Sequence, residues 1–184
     1  MLTNLPNILT LSRIAAIPVL VGLLYFHDPV TRWIGLGLYT LAAVTDYFDG
    51  YFARNWNQVS PFGRFLDPIA DKLLVASLIV ILVAIGDIQG AVVIPAIVIV
   101  CREILVSGLR EYLAEIKAPL PVSKLAKWKT AIQLIALGVL IVGEEAGPGI
   151  LPMEIIGDTG LWIAAILTLI TGYDYLARGL KHMA

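Results

Sequence analysis

The chain has 184 residues, of which 59% are hydrophobic and only 15% charged, and its formal net charge is −1. Soluble domains are about a quarter charged, so this composition excludes an ordinary soluble domain and predicts a protein that needs lipid around it. No nucleic-acid partner is expected.

Six apolar segments are long enough to cross a bilayer as helices, which takes roughly 17 to 25 residues each. Together they nearly fill the chain, so no separate soluble domain fits beside them. We therefore predict an all-α fold, in which residues 1–184 form one polytopic membrane domain of six transmembrane helices. The predicted spans are Leu9–Phe26, Trp33–Ala53, Leu73–Ala91, Val92–Leu113, Thr130–Glu144 and Ile156–Leu176.

The basic residues predict the orientation of these helices. With the N-terminus inside, most Lys and Arg residues fall at or near cytoplasmic helix ends. Arg32 alone falls outside, where the turns carry acidic residues such as Asp87 and Glu145. This distribution follows the positive-inside rule and predicts that both termini are cytoplasmic.

Four aspartates flank the predicted connection between the second and third spans. Helical residues three or four apart share one face, so Asp46 lies on the same face as Asp49, and Asp67 on the same face as Asp71. The short connection, predicted as Asn55 to Asp67, lets the two pairs converge. Converging carboxylates would repel one another, so either some of them are protonated or cations hold them. Hard divalent ions, Mg²⁺ or Mn²⁺, suit such a cluster, and no His or Cys is near enough in sequence to suggest zinc.

Small and basic residues accompany the first aspartate pair. Arg54 could grip a phosphate in bidentate fashion, and Gly50 would let a bulky ligand approach the backbone closely. Metals, a close-approach surface and an arginine together describe a diphosphate site. Two alternatives remain open: Arg54, Arg64 and Lys72 could simply neutralise interfacial carboxylates, and Gly50 could serve tight helix packing.

A second charged group, Arg102 and Glu103, interrupts the otherwise apolar fourth span. Adjacent helical residues point about 100° apart, so these two are not expected to form a side-by-side pair, and at least one must face an internal polar cavity. Arg102, together with Arg110, could bind a second anionic substrate. Lys127 and Lys129 could help, or could only anchor the fifth span among anionic lipid heads.

One fixed spacing joins the two aspartate pairs: D-x2-D-G-x2-A-R-x8-G-x3-D-x3-D, from Asp46 to Asp71. At every fixed position it resembles the signature of the CDP-alcohol phosphotransferase family. The resemblance runs nearly end to end, and it is closest to bacterial members that transfer a phosphatidyl group from CDP-diacylglycerol to glycerol 3-phosphate. Beyond the signature, it is carried by Asn7, Thr10 and Arg13 and by residues 101–115 and 124–130.

The resemblance implies a six-helix enzyme, usually a homodimer, in the bacterial inner membrane. Such an enzyme transfers a phosphoalcohol from a CDP-linked donor to an acceptor alcohol and releases CMP. Because both long predicted connections lie on the cytoplasmic side, we expect the active site at that face.

The resemblance also implies roles for single residues. Asp46 and Asp67 would bridge two metal ions, Asp49 would complete the first metal site and Asp71 the second, and Asp71 would be the general base. Residues implied to contact CDP-diacylglycerol are Asp46, Gly50, Arg54, Ser60, Asn7 and Thr10. Residues expected to bind glycerol 3-phosphate are Arg102, Arg110, Lys127 and Lys129.

Two other functions are kept as alternatives. The first has the same chemistry with another acceptor: inositol phosphate, serine or phosphatidylglycerol. The second is a divalent-cation transporter, which would need acidic or polar residues at membrane depth on several helices. The aspartates instead crowd one predicted face, which favours the transferase.

Overall fold

The computed structural model describes residues 5–55, 61–118 and 123–181, without the side chains of residues 5, 6, 46–55, 61 and 64. The residues in these ranges form six α-helices and no strand. The prediction of an all-α fold is therefore confirmed for this part of the chain. The helices are α1 (Leu5–Tyr25), α2 (Pro29–Asn55), α3 (Pro61–Ala84), α4 (Val93–Glu115), α5 (Lys124–Ala146) and α6 (Met153–Leu180).

The third helix begins earlier than the sequence pattern predicts. The predicted connection from Asn55 to Asp67 is wrong over its second half, because α3 already begins at Pro61. Proline is favoured in the first helical turn, where its fixed φ suits the helix and its missing N–H is not needed. Asp67 and Asp71 consequently lie well inside a helix, one turn apart on the same face.

Four of the helical segments are long and apolar enough to cross a membrane: Asn7–Tyr25, Gly90–Glu115, Lys124–Ala146 and Met153–Leu180. Large apolar side chains on these helices face outward, including Ile104, Ile135 and Ile166, each more than half exposed. Exposed apolar surface on this scale is unfavourable in water and is expected in lipid. The protein is therefore embedded in a membrane.

The helices pack as two layers of three. In the first, α1 lies against both α2 and α3, and in the second, α6 lies against both α4 and α5. Contacts between α2 and α5, and between α3 and α4, join the layers. Fully buried leucines from both layers, among them Leu24, Leu82, Leu137 and Leu161, form one core. A cavity between the layers is lined by residues of all six helices.

A buried arginine ties the helix ends at the side of the bundle away from Asp71. Arg32 is 1% exposed and donates to both carboxylate oxygens of Asp87, at 2.7 and 3.1 Å, and to Glu145 at 3.2 Å. Gly143, with φ of +61°, makes room for it, because an added Cβ would lie 2.8 Å from Nη1 of Arg32. This network links the start of α2, the α3–α4 connection and the end of α5.

Candidate active site

The two described aspartates of the signature face polar residues of α1. Thr10 donates its hydroxyl to Asp67 at 2.7 Å, and Nη1 of Arg13 lies 2.9 Å from Asp71. Asn7, Thr10 and Arg13 are spaced three residues apart, so they share one face of α1, and each is at most 2% exposed. This face of α1 therefore holds the start of α3 in place.

Arg13 is a site residue to which the sequence patterns gave no separate role. Its Nε donates to the carbonyl oxygen of Ala42 on α2 at 3.2 Å, while its Nη1 contacts Asp71 on α3. Arg13 thus joins three helices at one point. The signal in the sequence was the three-residue spacing of polar side chains along an apolar helix.

Half of the predicted metal cluster lies within the described side chains. Asp67 and Asp71 supply hard oxygen donors one helical turn apart, and the Asp71 side chain is 41% exposed, so both fit a divalent ion. No group of three acidic, His or Cys side chains gathers within the described residues. The remaining predicted residues fall outside that description: Asp46, Asp49, Gly50 and Arg54 by their side chains, and Ser60 entirely.

A cavity of about 230 Å³ opens beside Asp71, between the two helix layers. Its lining includes five basic and two acidic side chains, so it carries a net positive charge and would attract an anion. A second cavity of about 290 Å³ adjoins it and shares Arg102 and Arg110. The charged lining residues of the first cavity are Arg13, Asp71, Lys72, Arg102, Glu103, Arg110 and Lys129.

Arg102 reaches this cavity from α4 and is held by α6. Its Nη2 donates to the hydroxyl of Thr171 at 2.9 Å, and its guanidinium carbon lies 5.9 Å from the centre of the Tyr175 ring. Gly172 allows this approach, since a Cβ there would lie 3.1 Å from Cγ and 3.3 Å from Nε of Arg102. The position of Arg102 thus depends on the absence of a side chain at Gly172 of α6.

Glu103 is shared by two cations. It forms an ion pair with Lys129 of α5, and Nη1 of Arg102 lies 3.5 Å from it. The expectation that Arg102 and Glu103 would not pair side by side is wrong, because the long arginine side chain bends back far enough to reach its neighbour. The expectation that at least one of them faces a polar cavity is confirmed, since both line it.

The predicted acceptor residues are not all in one place. Arg102, Arg110 and Lys129 line the cavity beside Asp71, and Lys129 is only 3% exposed. Lys127 is exposed and lines neither of the two cavities. Two residues apart on a helix, Lys127 and Lys129 point in very different directions, which explains why only one of them turns inward.

Comparison with known proteins gives matches along nearly the whole chain. A family model described as CDP-alcohol phosphatidyltransferase matches residues 3–170. A protein of Rickettsia bellii is 51% identical over 97% of this chain and 97% of its own length. A protein of Cereibacter sphaeroides is 41% identical over 98% of this chain and 97% of its own length. A protein of Bacillus subtilis is 39% identical over 95% of this chain and 94% of its own length. All three carry the name CDP-diacylglycerol–glycerol-3-phosphate 3-phosphatidyltransferase.

Proposed function

The chain belongs to the CDP-alcohol phosphatidyltransferase family, and from this premise we propose that it transfers the phosphatidyl group of CDP-diacylglycerol to glycerol 3-phosphate. The products are phosphatidylglycerol phosphate and CMP. The observation that carries the proposal is a positively charged cavity that opens directly beside Asp71 of the signature. A small phosphorylated alcohol is the kind of ligand that such a cavity attracts.

The donor site lies at the ends of α2 and α3. Asp46, Asp49, Asp67 and Asp71 would hold two divalent ions, Mg²⁺ or Mn²⁺, which when bound neutralise the diphosphate and favour departure of CMP. The residues expected to bind the rest of CDP-diacylglycerol are Gly50, Arg54, Ser60, Asn7 and Thr10. The acyl chains remain in the bilayer beside the helices, so the reaction belongs in a membrane protein.

The acceptor site is the cavity between the layers. Arg102 and Lys129 come from different helices and both line it, and Arg110 lines both this cavity and the adjoining one. A guanidinium and an ammonium group held close together bind a phosphate through charge-assisted hydrogen bonds. The exposed position of Lys127 fits an auxiliary role in attracting the acceptor to the site.

Asp71 is the proposed general base. It lies on the wall of the cavity that the cationic residues also line, and one of its oxygens lies 2.9 Å from Nη1 of Arg13. Asp71 accepts the proton of the 1-hydroxyl of glycerol 3-phosphate as that oxygen attacks phosphorus, and the bond from phosphorus to CMP breaks. The contact with Arg13 orients the Asp71 carboxylate at the edge of the cavity.

The location of the reaction is also part of the proposal. The resemblance to bacterial enzymes supports six spans in the inner membrane, and the distribution of Lys and Arg supports cytoplasmic termini and an active site at the cytoplasmic face. The expected homodimer is supported by the family resemblance. Cross-linking in membranes, followed by mass measurement of the purified complex, would test the dimer.

The decisive experiment measures CMP release by the purified protein from CDP-diacylglycerol with a panel of acceptors. We expect release with glycerol 3-phosphate and Mg²⁺, and none without an acceptor. Release only with inositol phosphate, serine or phosphatidylglycerol would reassign the acceptor. Divalent-metal flux into sealed vesicles, without any CMP release, would refute the transferase and support a transporter.

A further inference from the structure

A buried amide on the cavity wall has no role in the reaction as described so far. Gln133 lies on α5, is 3% exposed and lines the cavity beside Asp71. Its Oε1 is buried and has no hydrogen-bond partner within the described part of the chain. Most buried polar atoms in native proteins have a partner, so an amide left this way requires an explanation.

The position of Gln133 relates it to the proposed acceptor site. It follows Lys129 by four residues and therefore lies on the same face of α5, one turn deeper in the bundle. Across the cavity, Nε of Arg102 is likewise buried and without a partner among the described residues. The two unpartnered groups come from different helices, α4 and α5, and flank the same space.

An amide and a cation recognise different parts of a ligand. Guanidinium and ammonium groups match a phosphate, whereas an uncharged amide offers one acceptor and one donor group and suits a hydroxyl. Rotation about the last side-chain bond of Gln133 turns either its oxygen or its nitrogen toward the cavity. The cavity wall therefore combines charged groups for an anion with a neutral group for an alcohol.

Glycerol 3-phosphate has three polar groups, and the proposed function assigns two of them. Its phosphate binds Arg102 and Lys129, and its 1-hydroxyl must reach Asp71 to react. Only the secondary hydroxyl is left without a protein partner. We propose that the side-chain amide of Gln133 hydrogen-bonds the 2-hydroxyl of the acceptor and thereby selects a polyol phosphate over a simple alkanol phosphate. This proposal rests on the proposed function.

The test compares two acceptors that differ only in that hydroxyl. The wild-type protein and Gln133→Met, which keeps the length of the side chain but removes its amide, are assayed for CMP release. The acceptors are glycerol 3-phosphate and 3-hydroxypropyl phosphate. We expect the wild type to prefer glycerol 3-phosphate about tenfold in kcat/KM, as one hydrogen bond allows, and the variant to lose that preference. The KM for CDP-diacylglycerol should stay unchanged.

A matched control is available on α6. Thr168 is 0% exposed, and its hydroxyl is also buried without a partner among the described residues, but it does not line the cavity. Thr168→Val should keep the full preference for glycerol 3-phosphate. Gln133→Leu provides a second variant if the methionine protein is unstable, and thermal unfolding identifies any variant that has lost its fold.

The outcomes distinguish the role of Gln133 from the proposed transferase function on which it rests. A wild type that uses both acceptors equally, or a folded Gln133 variant that still discriminates, would overturn the role of Gln133 and leave the transferase standing. A wild type that releases no CMP with glycerol 3-phosphate would overturn the proposed function and this assignment together. Loss of preference in Thr168→Val as well would show that the effect is not specific to the cavity amide.

Discussion

The replacement of Gly172 by alanine tests whether Arg102 forms the acceptor site. The new Cβ would lie 3.1 Å from Cγ and 3.3 Å from Nε of Arg102. Ordinary contacts between such atoms are about 3.5 to 4.0 Å, so the arginine must move by a few tenths of an ångström. That movement displaces the guanidinium from Thr171, to which it now donates at 2.9 Å.

Two effects of this substitution differ in sign. Alanine is favoured over glycine in the middle of a helix by roughly 0.5–1 kcal/mol, which should offset the strain of the close contact and keep the protein folded. Disturbing one hydrogen bond of Arg102 costs about 0.5–1.5 kcal/mol, which corresponds to a rise of up to about tenfold in KM for glycerol 3-phosphate. Stability and acceptor affinity should therefore change independently.

The control is Gly108→Ala on α4, the helix that carries Arg102. A Cβ at Gly108 would meet nothing within 4 Å, so this variant gains helix propensity without touching the cavity. Initial rates of CMP release, measured over a range of each substrate, give the two KM values for both variants. If Gly172→Ala and Gly108→Ala had the same KM for glycerol 3-phosphate, the inference that Gly172 positions Arg102 would be wrong.

Three further predictions test other parts of the molecule. Asp71→Asn should lower kcat about 100-fold or more, since an amide cannot accept the proton. Thermal unfolding should show that this variant keeps its fold. Retention of most turnover would exclude Asp71 as the base. Arg102→Ala should raise the KM for glycerol 3-phosphate by about tenfold or more, while the KM for CDP-diacylglycerol changes little. An equal rise in both KM values would contradict the assignment of Arg102 to the acceptor site. Arg32→Met should lower the free energy of unfolding by about 3 kcal/mol, because it removes a buried guanidinium and leaves the partly buried Asp87 without its ion pair. Arg178→Met, which breaks an exposed pair, should lower it by about 1 kcal/mol at most. Equal losses, measured by unfolding in detergent, would show that the Arg32 network stabilises the protein no more than an exposed ion pair does.

The helices could be predicted from the sequence because their signal is local. A continuous apolar segment of sufficient length is enough to indicate a membrane helix, and each predicted span falls largely within a helix of the structure. The boundaries were less certain where polar residues continue a helix beyond the apolar part. Pro61 to Leu66 is such a case: hydropathy suggested a loop, while proline at the first position and the continuing helical pattern extended α3.

The site was only partly predictable because much of it depends on contacts between distant parts of the chain. The spacing of Asp67 and Asp71 was sufficient to place them on one helix face. Arg13 meets Asp71 across 58 positions, and Arg32 meets Glu145 across 113, so no local pattern could indicate either pair. The Oε1 of Gln133, which has no partner among the residues that the structure describes, was also hidden, since a single glutamine in an apolar helix gives no sign of what surrounds it.

The division of the bundle into two layers suggests how the two substrates are kept apart until they react. The signature aspartates lie on α2 and α3 of the first layer, whereas Arg102, Lys129 and Gln133 lie on α4 and α5 of the second. Asp71 borders the cavity from the first layer, so it is the point at which the two groups of residues meet. If the proposed function is correct, substitutions in the second layer should change the affinity for glycerol 3-phosphate while that for CDP-diacylglycerol stays constant. Asp71, which belongs to both groups, is the position at which this separation should fail.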